Sequence, residues 1–414
     1  MTLNQSALTD LLEALRAGGD LDFMREAMQL VLQALIDLES TQVIGAERYE
    51  RTPTRANERN GSRSRLLSTK AGDVELAIPK LRHGSFFPAL LEPRRRIDRA
   101  LWAVVMEAFV HGVSTRKVDD LVSALGIDAG VSKSQVSRIC AELDQTVSEF
   151  RERRLDHTEF AYVFLDATYV KAHEGAHVVS KAIIVATGVA RDGNREVLGL
   201  AVGDSEDKAF WTTFLRQLRT RGLGGVRLVI SDAHEGLRQA IEKVMIGAAW
   251  QRCRVHFLRN VLAKVPKASS EMVAAAIRTV FAQPDAAAVA DQLDSIASKL
   301  GRQFPAVESM LREAAIDICA FAAFPSSHWK KIWSTNPLER VNKEIKRRTN
   351  VVGIFPNEAG VLRLAGSVLI EVHDEWQVTE RRYLSEASMA KLYETDNDGT
   401  DKEVGTDTKA LLAS

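Results

Sequence analysis

The spacing of apolar residues along the chain changes in character near residue 160. Before that point, apolar side chains recur at helical spacing over 6–17, 23–39 and 98–150, as in helices that bury one face. After it, short runs of consecutive apolar residues alternate with amphipathic segments, which is typical of buried strands and the helices that cover them. The pattern predicts a mostly helical first part followed by an α/β part.

One stretch of the first part predicts a β-hairpin instead. Residues 74–78 alternate between apolar and polar, and 66–70 precede them across a turn that contains Gly72. The stretch 45–65 is polar and rich in arginine, so we predict it to be a loop.

In the second part, apolar runs predict four strands with helices between them. The strands are expected at 161–165, 178–187, 195–202 and 226–231, and the helices at 209–221 and 237–245. Residues 269–324 are rich in Ala and have apolar residues at helical spacing, which predicts an all-helical block. A further helix is predicted over 358–392, and the polar end, 394–414, is predicted to be disordered.

Two aspartates stand where predicted strands end. Asp166 directly follows the first predicted strand, and Asp232 directly follows the fourth. A strand end is a rigid position for a catalytic carboxylate, but an aspartate there is also a common surface turn residue. These two residues alone leave both interpretations open.

The run 334–348 is predicted to be a strongly basic helix with Glu339 near its start. Asn336 is the expected N-cap, and Pro337 suits the first helical position, where a missing N–H costs nothing. At about 100° per residue, this helix has an apolar stripe and a separate polar face. The apolar stripe consists of Leu338, Val341 and Ile345. The polar face consists of Glu339, Asn342, Lys343 and Lys346.

The two glutamates of this helix are expected to differ in role. Glu344 stands at four-residue spacing from both Arg340 and Arg348, so we predict an ion-paired surface residue. Glu339 is the catalytic candidate, and a capping box with Asn336 is the alternative.

Three carboxylates from separate parts of the chain are the minimum for a two-metal site. Mg²⁺ prefers hard oxygen ligands and keeps waters and substrate phosphates in its coordination shell. Two ions about 4 Å apart can hold the attacking and leaving oxygens of a displacement at phosphorus. We therefore predict that Asp166, Asp232 and Glu339 hold two Mg²⁺ ions, for which Mn²⁺ can substitute, and cleave a phosphodiester.

The region 113–150 has the pattern of a helix-turn-helix. Ser114 can cap a helix over 115–125, and Ser132 with Gln135 can form a capping box that opens a second helix. An ordinary helical hairpin is the alternative. The first turns of the second helix contain the residues expected to contact DNA, which are Lys133, Ser134, Gln135, Ser137 and Arg138.

Charge is balanced overall, with 55 Lys and Arg against 55 Asp and Glu, so DNA binding must come from local patches. Residues 330–350 carry seven basic residues against two Glu, 93–99 carry four Arg against one Asp, and 47–65 carry six Arg against three Glu. One such run is usually a solvated surface, but three around a helix-turn-helix pattern indicate DNA binding.

A further basic segment surrounds a Cys-x-x-His pair. Cys253 and His256 make at most half of a zinc site, because no second ligand pair is evident nearby. The alternative to a role near DNA is a buried Cys beside a His whose hydrogen bonds are satisfied within the protein. From this segment and from the basic helix we expect DNA contacts by Arg252, Arg254, Arg340, Asn342, Lys343, Lys346, Arg347 and Arg348.

One motif points to a different chemistry. The run from His173 to His177 matches the H-E-x-x-H signature of zinc proteases. That chemistry needs both histidines on one face of a helix, whereas this run lies between two predicted strands and has Gly175 at its centre. A hairpin turn is the better interpretation.

The cysteine positions and the lengths of the apolar runs indicate in which cellular compartment the protein is expected. Cys140, Cys253 and Cys319 are far apart in the sequence, which does not suggest a disulfide framework. No apolar run reaches membrane-spanning length, and the N-terminus lacks a signal-peptide pattern. We expect a reduced, cytoplasmic, nucleoid-associated protein that contacts no membrane.

With these residues in place, the chain resembles the Mutator-type family of bacterial insertion-sequence transposases over about 55–390. The resemblance rests on 165–169, 230–237, 250–260, 334–348 and 351–357. It implies an RNase H-like core, which is a mixed sheet flanked by helices, interrupted by an all-helical insertion. It also implies a DDE triad, which falls on Asp166, Asp232 and Glu339, and a Cys-x-x-His signature near the active site, which falls on Cys253 and His256.

The pattern and the resemblance together predict six segments. They are N-terminal helices and a basic loop over 1–66, a DNA-binding region over 67–155, the two parts of the catalytic core over 156–260 and 326–392, the helical insertion over 261–325, and a disordered tail over 393–414.

The expected protein is a DNA transposase. It would bind double-stranded DNA at terminal inverted repeats through 113–150, hydrolyse a phosphodiester at the element end, and direct the freed 3′-OH into target DNA. Synapsis of two ends implies a homodimer or a higher homo-oligomer. The alternatives are a DNA-binding regulator without metal-dependent nicking, and a metalloprotease that depends on His173 and His177.

Overall fold

The computed structural model describes residues 21–46, 50, 52, 55–69, 72–82, 95–110, 133–379 and 382–394. The chain divides into two compact units. The first is formed by Met1–Arg95 with Val378–Glu380, and the second by Arg96–Gln377 with Arg381–Ser414. Among the described residues, the helices include none that is long and apolar enough to cross a bilayer.

In the first unit a helix packs on a β-hairpin. Helix α1 (Leu21–Ile44) lies against β2 (Gly72–Leu81), which pairs antiparallel with β1 (Arg59–Thr69). The side chain of Gln33 bonds both the N–H and the C=O of Ala77, so it satisfies backbone groups on the strand. The small core of this unit contains Ile36, Val74, Leu76 and Ile78.

The predicted hairpin is confirmed, but its first strand is longer than the apolar pattern predicted. β1 begins at Arg59, inside the stretch 45–65 that the sequence predicts to be a loop. Ser62 and Ser64, near the start of this strand, are exposed. A strand with polar residues at successive positions has no period-two signal, so its start could not be predicted. The helix predicted over 6–17 lies outside the described residues.

The second unit combines helices with a six-stranded sheet. Its strands are β3 (Phe160–Glu174), β4 (His177–Ala190), β5 (Arg195–Gly203), β6 (Leu228–Ser231), β7 (Ala249–Arg252) and β8 (Ile354–Phe355). Its helices are α2 (Arg95–Val110), α3 (Lys133–Glu152), α4 (Lys208–Thr220), α5 (Glu235–Val244), α6 (Arg254–Leu262), α7 (Ser270–Val280), α8 (Ala286–Gly301), α9 (Pro305–Glu313), α10 (Ala315–Cys319), α11 (Trp329–Ile332), α12 (Asn336–Val352), α13 (Glu358–Val378) and α14 (Glu386–Glu394).

The sheet of the second unit is mixed. Its strand order is β5-β4-β3-β6-β7, and β8 pairs with the far end of β3. The pairs β3–β4 and β4–β5 are antiparallel, whereas β6 runs parallel to both β3 and β7. The short β6 and β7 therefore end on the same edge, where the loops that follow them meet.

Helices cover both faces of this sheet. Side chains alternate between the faces along β3, so Tyr162 and Phe164 join one hydrophobic cluster and Val163 and Leu165 join the other. The first cluster includes residues of α3, α12 and α13, and the second includes residues of α4 and α5. The central strand is buried on both sides, which explains why 161–165 is a continuous apolar run.

Arginines cover the carbonyls of the edge strand β5. Arg151 Nε donates to the Leu200 carbonyl at 3.3 Å, Arg221 donates to the Leu198 carbonyl at 2.9 Å, and Arg153 donates to Val197. An uncovered edge strand offers unpaired groups to other chains. These guanidinium groups occupy the backbone acceptors and protect the edge.

The predicted strands of this unit are confirmed in position, but β3 is longer than predicted. It continues to Glu174 because it pairs with β4 along its whole length, from Phe160 opposite Ala190 to Glu174 opposite His177. Asp166 therefore lies within a strand, which corrects the prediction that it follows one. Asp232 directly follows β6, as predicted.

Two helix predictions have different outcomes. Residues 269–324 form helices and short turns without a strand, as predicted. The single helix predicted over 358–392 is wrong, because α13 ends at Val378 and α14 begins at Glu386. Between them the N–H groups of Tyr383 and Leu384 donate to the carbonyl of Gly193, which holds the chain in a non-helical path.

Only part of the predicted helix-turn-helix lies within the described residues. Its predicted second helix is α3, whereas the predicted first helix, 115–125, lies outside the described residues. The tail from 395 onward also lies outside them.

Candidate active site

Strand register brings two aspartates together. β3 and β6 run parallel, with Phe164 opposite Ile230. Two residues further along each segment come Asp166 and Asp232. The Asp232 charge acts on Asp166 and contributes to raising its pKa. The two carboxylates therefore form one site at the end of β6.

The adjacent parallel strand adds a histidine to this site. Ser231 lies opposite Arg252 in the β6–β7 pair, so the residues that follow both strands are neighbours. Cys253 is the N-cap of α6 and places His256 in the first turn of that helix. His256 Nδ1 lies 3.9 Å from Asp232 Oδ2.

Asp166 is half-buried and held by two hydrogen bonds. Asn342 Nδ2 donates to its Oδ2 at 2.8 Å, and the Ala167 N–H donates to its Oδ1 at 3.0 Å. Burial outweighs these donors and raises the pKa of Asp166 to about 6. Ionising this carboxyl costs free energy, which a nearby cation would offset.

Asp232 is the more accessible of the two carboxylates. Its side chain is 46% exposed, and its Oδ1 accepts a hydrogen bond from the Ala233 N–H at 2.7 Å. The site thus contains one fixed carboxylate, Asp166, and one that faces solvent, Asp232.

Cys253 and His256 form a polar pair beside the carboxylates. Cys253 is fully buried, and Thr335 approaches its Sγ with both the backbone N and Oγ1 at 3.4 Å. Burial raises the pKa of the Cys253 thiol, but His256 and Thr335 outweigh burial and lower it below its ordinary value. The Cys253 sulfur, with Asp232 and Asp166, raises the pKa of His256 to about 9. His256 is therefore positively charged at neutral pH.

Helix α12 approaches this site from the side of Asp166. Glu339 lies one turn before Asn342 on the same side of the helix and is half-buried. Within the described ranges, no three Asp, Glu, His or Cys side chains are grouped closely enough to hold a metal ion. The structure thus joins Asp166 with Asp232 and places Glu339 on the helix that bonds Asp166.

The start of α12 differs from the sequence prediction. Its N-cap is Thr335, and Asn336 is the first helical residue. No side-chain capping bond forms, since Thr335 Oγ1 contacts Cys253 instead. The capping box between Asn336 and Glu339, which was the alternative role for Glu339, is therefore not formed.

The wheel prediction for α12 is confirmed for its apolar stripe and for Glu344. Leu338, Val341 and Ile345 are buried. Glu344 accepts hydrogen bonds from Arg347 at 2.9 and 2.7 Å and from Arg348 at 3.2 Å, so it is an ion-paired surface residue.

The predicted DNA-contacting residues of α12 are in different environments. Arg340, Lys343 and Lys346 are exposed, whereas Arg347 and Arg348 pair with Glu344. Asn342 is buried and its side-chain amide donates a hydrogen bond to Asp166, so it faces the candidate site and not the solvent. Asn342 is four residues from Leu338 and three from Ile345, and this position on the buried stripe is the signal that could have revealed its contact.

The remaining predicted DNA contacts are on α3 and around α6. Ser134, Ser137 and Arg138 are exposed in the first turns of α3, which also contain Lys133 and Gln135. Around Cys253, the guanidinium of Arg252 lies 4.9 Å from the centre of the Phe257 ring, and that of Arg254 lies 3.7 Å from the Trp333 ring.

The H-E-x-x-H run forms a hairpin turn, as the sequence interpretation expected. His173 is near the end of β3 and His177 begins β4. Gly175 adopts a φ of 58° in the turn, and Glu174 pairs opposite His177. The two histidines do not share a helical face, so the geometry of a zinc protease is not present.

A family model described as "Transposase, Mutator family" matches residues 2–379. The match places the chain among the transposases, the class of enzymes that cut DNA and transfer its strands. The chain belongs to the Mutator family of transposases.

Curated relatives are similar to this chain over most of their length. The chain is 44% identical over 393 residues to the transposase for insertion sequence element IS1081 of Mycobacterium tuberculosis, and the aligned region covers 94% of this chain and 94% of the relative. It is 39% identical over 360 residues to the transposase for insertion sequence element ISRM5 of Rhizobium meliloti, covering 87% of this chain and 90% of the relative. The transposase for insertion sequence element IS256 in transposon Tn4001 of Staphylococcus aureus is 36% identical over 366 residues, covering 88% and 93%.

Proposed function

We propose that this chain binds the terminal inverted repeats of an insertion sequence, cleaves the DNA at the element end and transfers the freed 3′ end to target DNA. The observation that carries the proposal is the meeting of Asp166, Asp232 and His256 at the ends of β6 and β7, beside the basic helix α12. Membership of the Mutator family supports the same class of reaction.

The carboxylates proposed for this site have the ligand chemistry that divalent metal ions prefer. Asp166, Asp232 and Glu339 provide hard carboxylate oxygens, which Mg²⁺ and its substitute Mn²⁺ prefer. Oδ1 of Asn342 is buried and has no hydrogen-bond partner among the described residues. A cation would also remove the cost of ionising the half-buried Asp166. When bound, two such ions would supply an activated water and stabilise the leaving oxygen.

The other side chains of the site would hold the carboxylates in position and neutralise the charge of the DNA phosphate. Asn342 holds the Asp166 carboxylate in one orientation through its amide N–H. His256 is protonated at neutral pH and faces Asp232, so it places positive charge where a phosphodiester would arrive. The chain itself forms no covalent bond to DNA in this scheme, because the attacking groups are water and then the 3′-OH.

Two basic surfaces would hold the DNA. On α12, the exposed Arg340, Lys343 and Lys346 flank Glu339 and can neutralise backbone phosphates. The first turns of α3, from Lys133 to Arg138, are proposed to read the terminal repeat in the major groove. Because two element ends must be paired, the active form would be a homodimer or a larger assembly of this chain.

The proposal is tested by Mg²⁺-dependent cleavage of a labelled duplex that carries the element end. Asp166→Asn, Asp232→Asn and Glu339→Gln are each expected to lower the cleavage rate by about 10²-fold or more, since each removes a charged ligand. Binding of the duplex, measured by gel shift, should change little.

A matched control lies on the same helix. Glu344→Gln removes the same charge from α12, but Glu344 is paired with Arg347 and Arg348, so this variant should cleave like the wild type. A triad variant that retains full cleavage would remove its residue from the site. Binding by the wild type without cleavage in Mg²⁺ or Mn²⁺ would favour a DNA-binding regulator.

A further inference from the structure

A basic cleft of about 900 Å³ opens between α6, α7 and α11. Among the described residues, its walls carry four cationic side chains and no carboxylate. They also include three aromatic rings, those of Phe281, Trp329 and Trp333. The cationic residues are Arg254, Arg259, Arg278 and Lys330.

The cations of this cleft are not used in ion pairs. Arg259, Arg278 and Lys330 are exposed, and the ion pairs among the described residues include none of them and not Arg254. Uncompensated cations facing one cleft repel one another. A polyanion that enters the cleft would relieve this repulsion, so the charge distribution favours a phosphate-bearing ligand.

Arg254 presents a flat surface in the wall of the cleft. Its guanidinium lies 3.7 Å from the centre of the Trp333 ring and 5.3 Å from that of Phe281. The rings hold the guanidinium plane in place, and the side chain is only half-buried. A planar cation stacked on tryptophan is a platform on which a nucleobase can lie.

The cleft adjoins the candidate active site through two segments. Arg254 directly follows Cys253, and its N–H donates to the Trp333 carbonyl at 3.0 Å. Two residues after Trp333, Thr335 contacts the Cys253 sulfur and starts the helix that carries Glu339. The cleft and the candidate active site are therefore built on neighbouring residues of the same two segments.

We propose that this cleft binds an unpaired segment of the DNA strand, with its phosphates on Arg259, Arg278 and Lys330 and a base stacked on Arg254. The inference rests on the proposed transposase function and assigns the cleft a part of its DNA substrate. The unpaired state follows from the platform, because a base inside a duplex has both faces covered by its neighbours. A cleft of this volume holds a few rings and phosphates rather than a double helix.

The test is the binding of full-length protein to a fluorescein-labelled dT12 oligonucleotide, followed by anisotropy at several salt concentrations. The triple variant Arg259→Ala, Arg278→Ala and Lys330→Ala removes only exposed side chains. We expect dT12 affinity to fall by about tenfold to a hundredfold. The slope of log affinity against log salt should fall by about 2, since each lost contact to a single strand contributes about 0.7.

The matched control removes three exposed cations outside the cleft, by Arg219→Ala, Lys243→Ala and Arg302→Ala. It makes the same change in net charge and should alter dT12 binding much less. Equal losses in the two triple variants would overturn the inference. So would an equally large loss by the cleft variant for the dT12–dA12 duplex, since the cleft would then not select an unpaired strand.

Substitutions of Arg254 test the stacking platform separately. Arg254→Lys keeps the charge and loses the plane, so it should weaken dT12 binding severalfold while preserving the salt slope. Unchanged affinity in Arg254→Lys would remove the platform from the inference. Asp166→Asn should bind dT12 like the wild type, so failure of the cleavage proposal and failure of the cleft can be told apart.

Discussion

Asp166 combines a fixed position with a cost to the stability of the fold. It lies within β3, where pairing with β4 fixes its backbone, and Asn342 fixes its carboxylate. The same burial that makes it rigid raises its pKa to about 6. A rigid carboxylate that is difficult to ionise is a suitable ligand for a cation and an unfavourable group without one.

Replacing Asp166 with Asn is therefore expected to stabilise the metal-free protein at neutral pH. The folded pKa of about 6 lies above the ordinary value of an aspartate, so the folded protein binds this proton more tightly. That contribution to stability is fully present below the unfolded pKa and is lost as pH rises through 6. In chelator at pH 7.5, Asp166→Asn should gain about 1–2 kcal/mol in urea unfolding.

The pH dependence identifies the cause of this gain. Near pH 4 the wild-type carboxyl is already protonated, so the difference between Asp166→Asn and wild type should nearly vanish. Asp232→Asn is the matched control, because that side chain is 46% exposed, and it should show no such gain. A gain of the same size at both pH values would mean that burial of the charge is not the source.

At the scale of elements, close packing of α3 on α13 builds the scaffold behind the sheet. A Cβ added to Gly366 of α13 would lie 2.5 Å from Cγ1 of Val147 on α3. Arg363, also on α13, donates to Asp144 of α3 at 2.8 Å and to Glu107 of α2 at 2.7 Å. The helix crossing thus depends on the absence of a side chain at Gly366 and on the ion pairs of the buried Arg363.

Gly366→Ala should destabilise the protein by about 1–3 kcal/mol, because the added methyl group overpacks the contact with Val147. Val147→Ala introduced into the same protein should restore part of that loss, since it removes the clashing methyl groups. Urea unfolding of the two single variants and the double variant gives the coupling energy.

A second glycine of the same helix provides the control for this cycle. A Cβ on Gly360 would have its nearest neighbour at 3.4 Å, so Gly360→Ala should be neutral or slightly stabilising through its helix propensity. If Gly366→Ala and Gly360→Ala have equal effects, the close approach of α3 to α13 does not contribute to stability.

At the scale of the whole molecule, the proposed reaction requires two active sites on two DNA ends. The arginines along β5 cover its edge carbonyls, which disfavours assembly through strand addition at this edge. Pairing of protomers is therefore expected to depend on other surfaces and on the DNA.

Co-expression of wild-type chain with Asp166→Asn tests this assembly. If each protomer of a dimer cuts one end, product cut at both ends should fall as the square of the wild-type fraction. At equal expression, double-end cleavage should be about a quarter of the wild-type level. A fall to one half, in proportion to the wild-type fraction, would indicate that protomers act independently.

Much of the fold could be predicted from local patterns. Buried strands appear as apolar runs, so the positions of β3 to β6 and the place of Asp232 after β6 were predicted correctly. The helical wheel also predicted the buried stripe of α12 and the pairing of Glu344. These features depend on residues that are near one another in the sequence, so the spacing of apolar and charged residues is enough to predict them.

Contacts between distant segments needed the tertiary structure. The length of β3 is set by its pairing with β4. Asp166 therefore lies inside a strand and not at the strand end that the sequence predicted. Thr335 replaced Asn336 as the N-cap of α12 because it packs on Cys253, 82 residues away. The strand length and the N-cap position depend on which distant surfaces pack together, and a local sequence pattern contains no information about that packing.

By itself, the sequence indicated most of the strands and helices, the candidate site residues and the family to which the chain belongs. The tertiary structure alone decided that Asn342 turns inward to hold Asp166 and that His256 faces Asp232. It also decided that Arg254 stacks on Trp333 in a cleft lined with unpaired cations. The physical reason is that hydrophobic periodicity specifies which side of an element is buried, whereas register and packing specify which side chains meet.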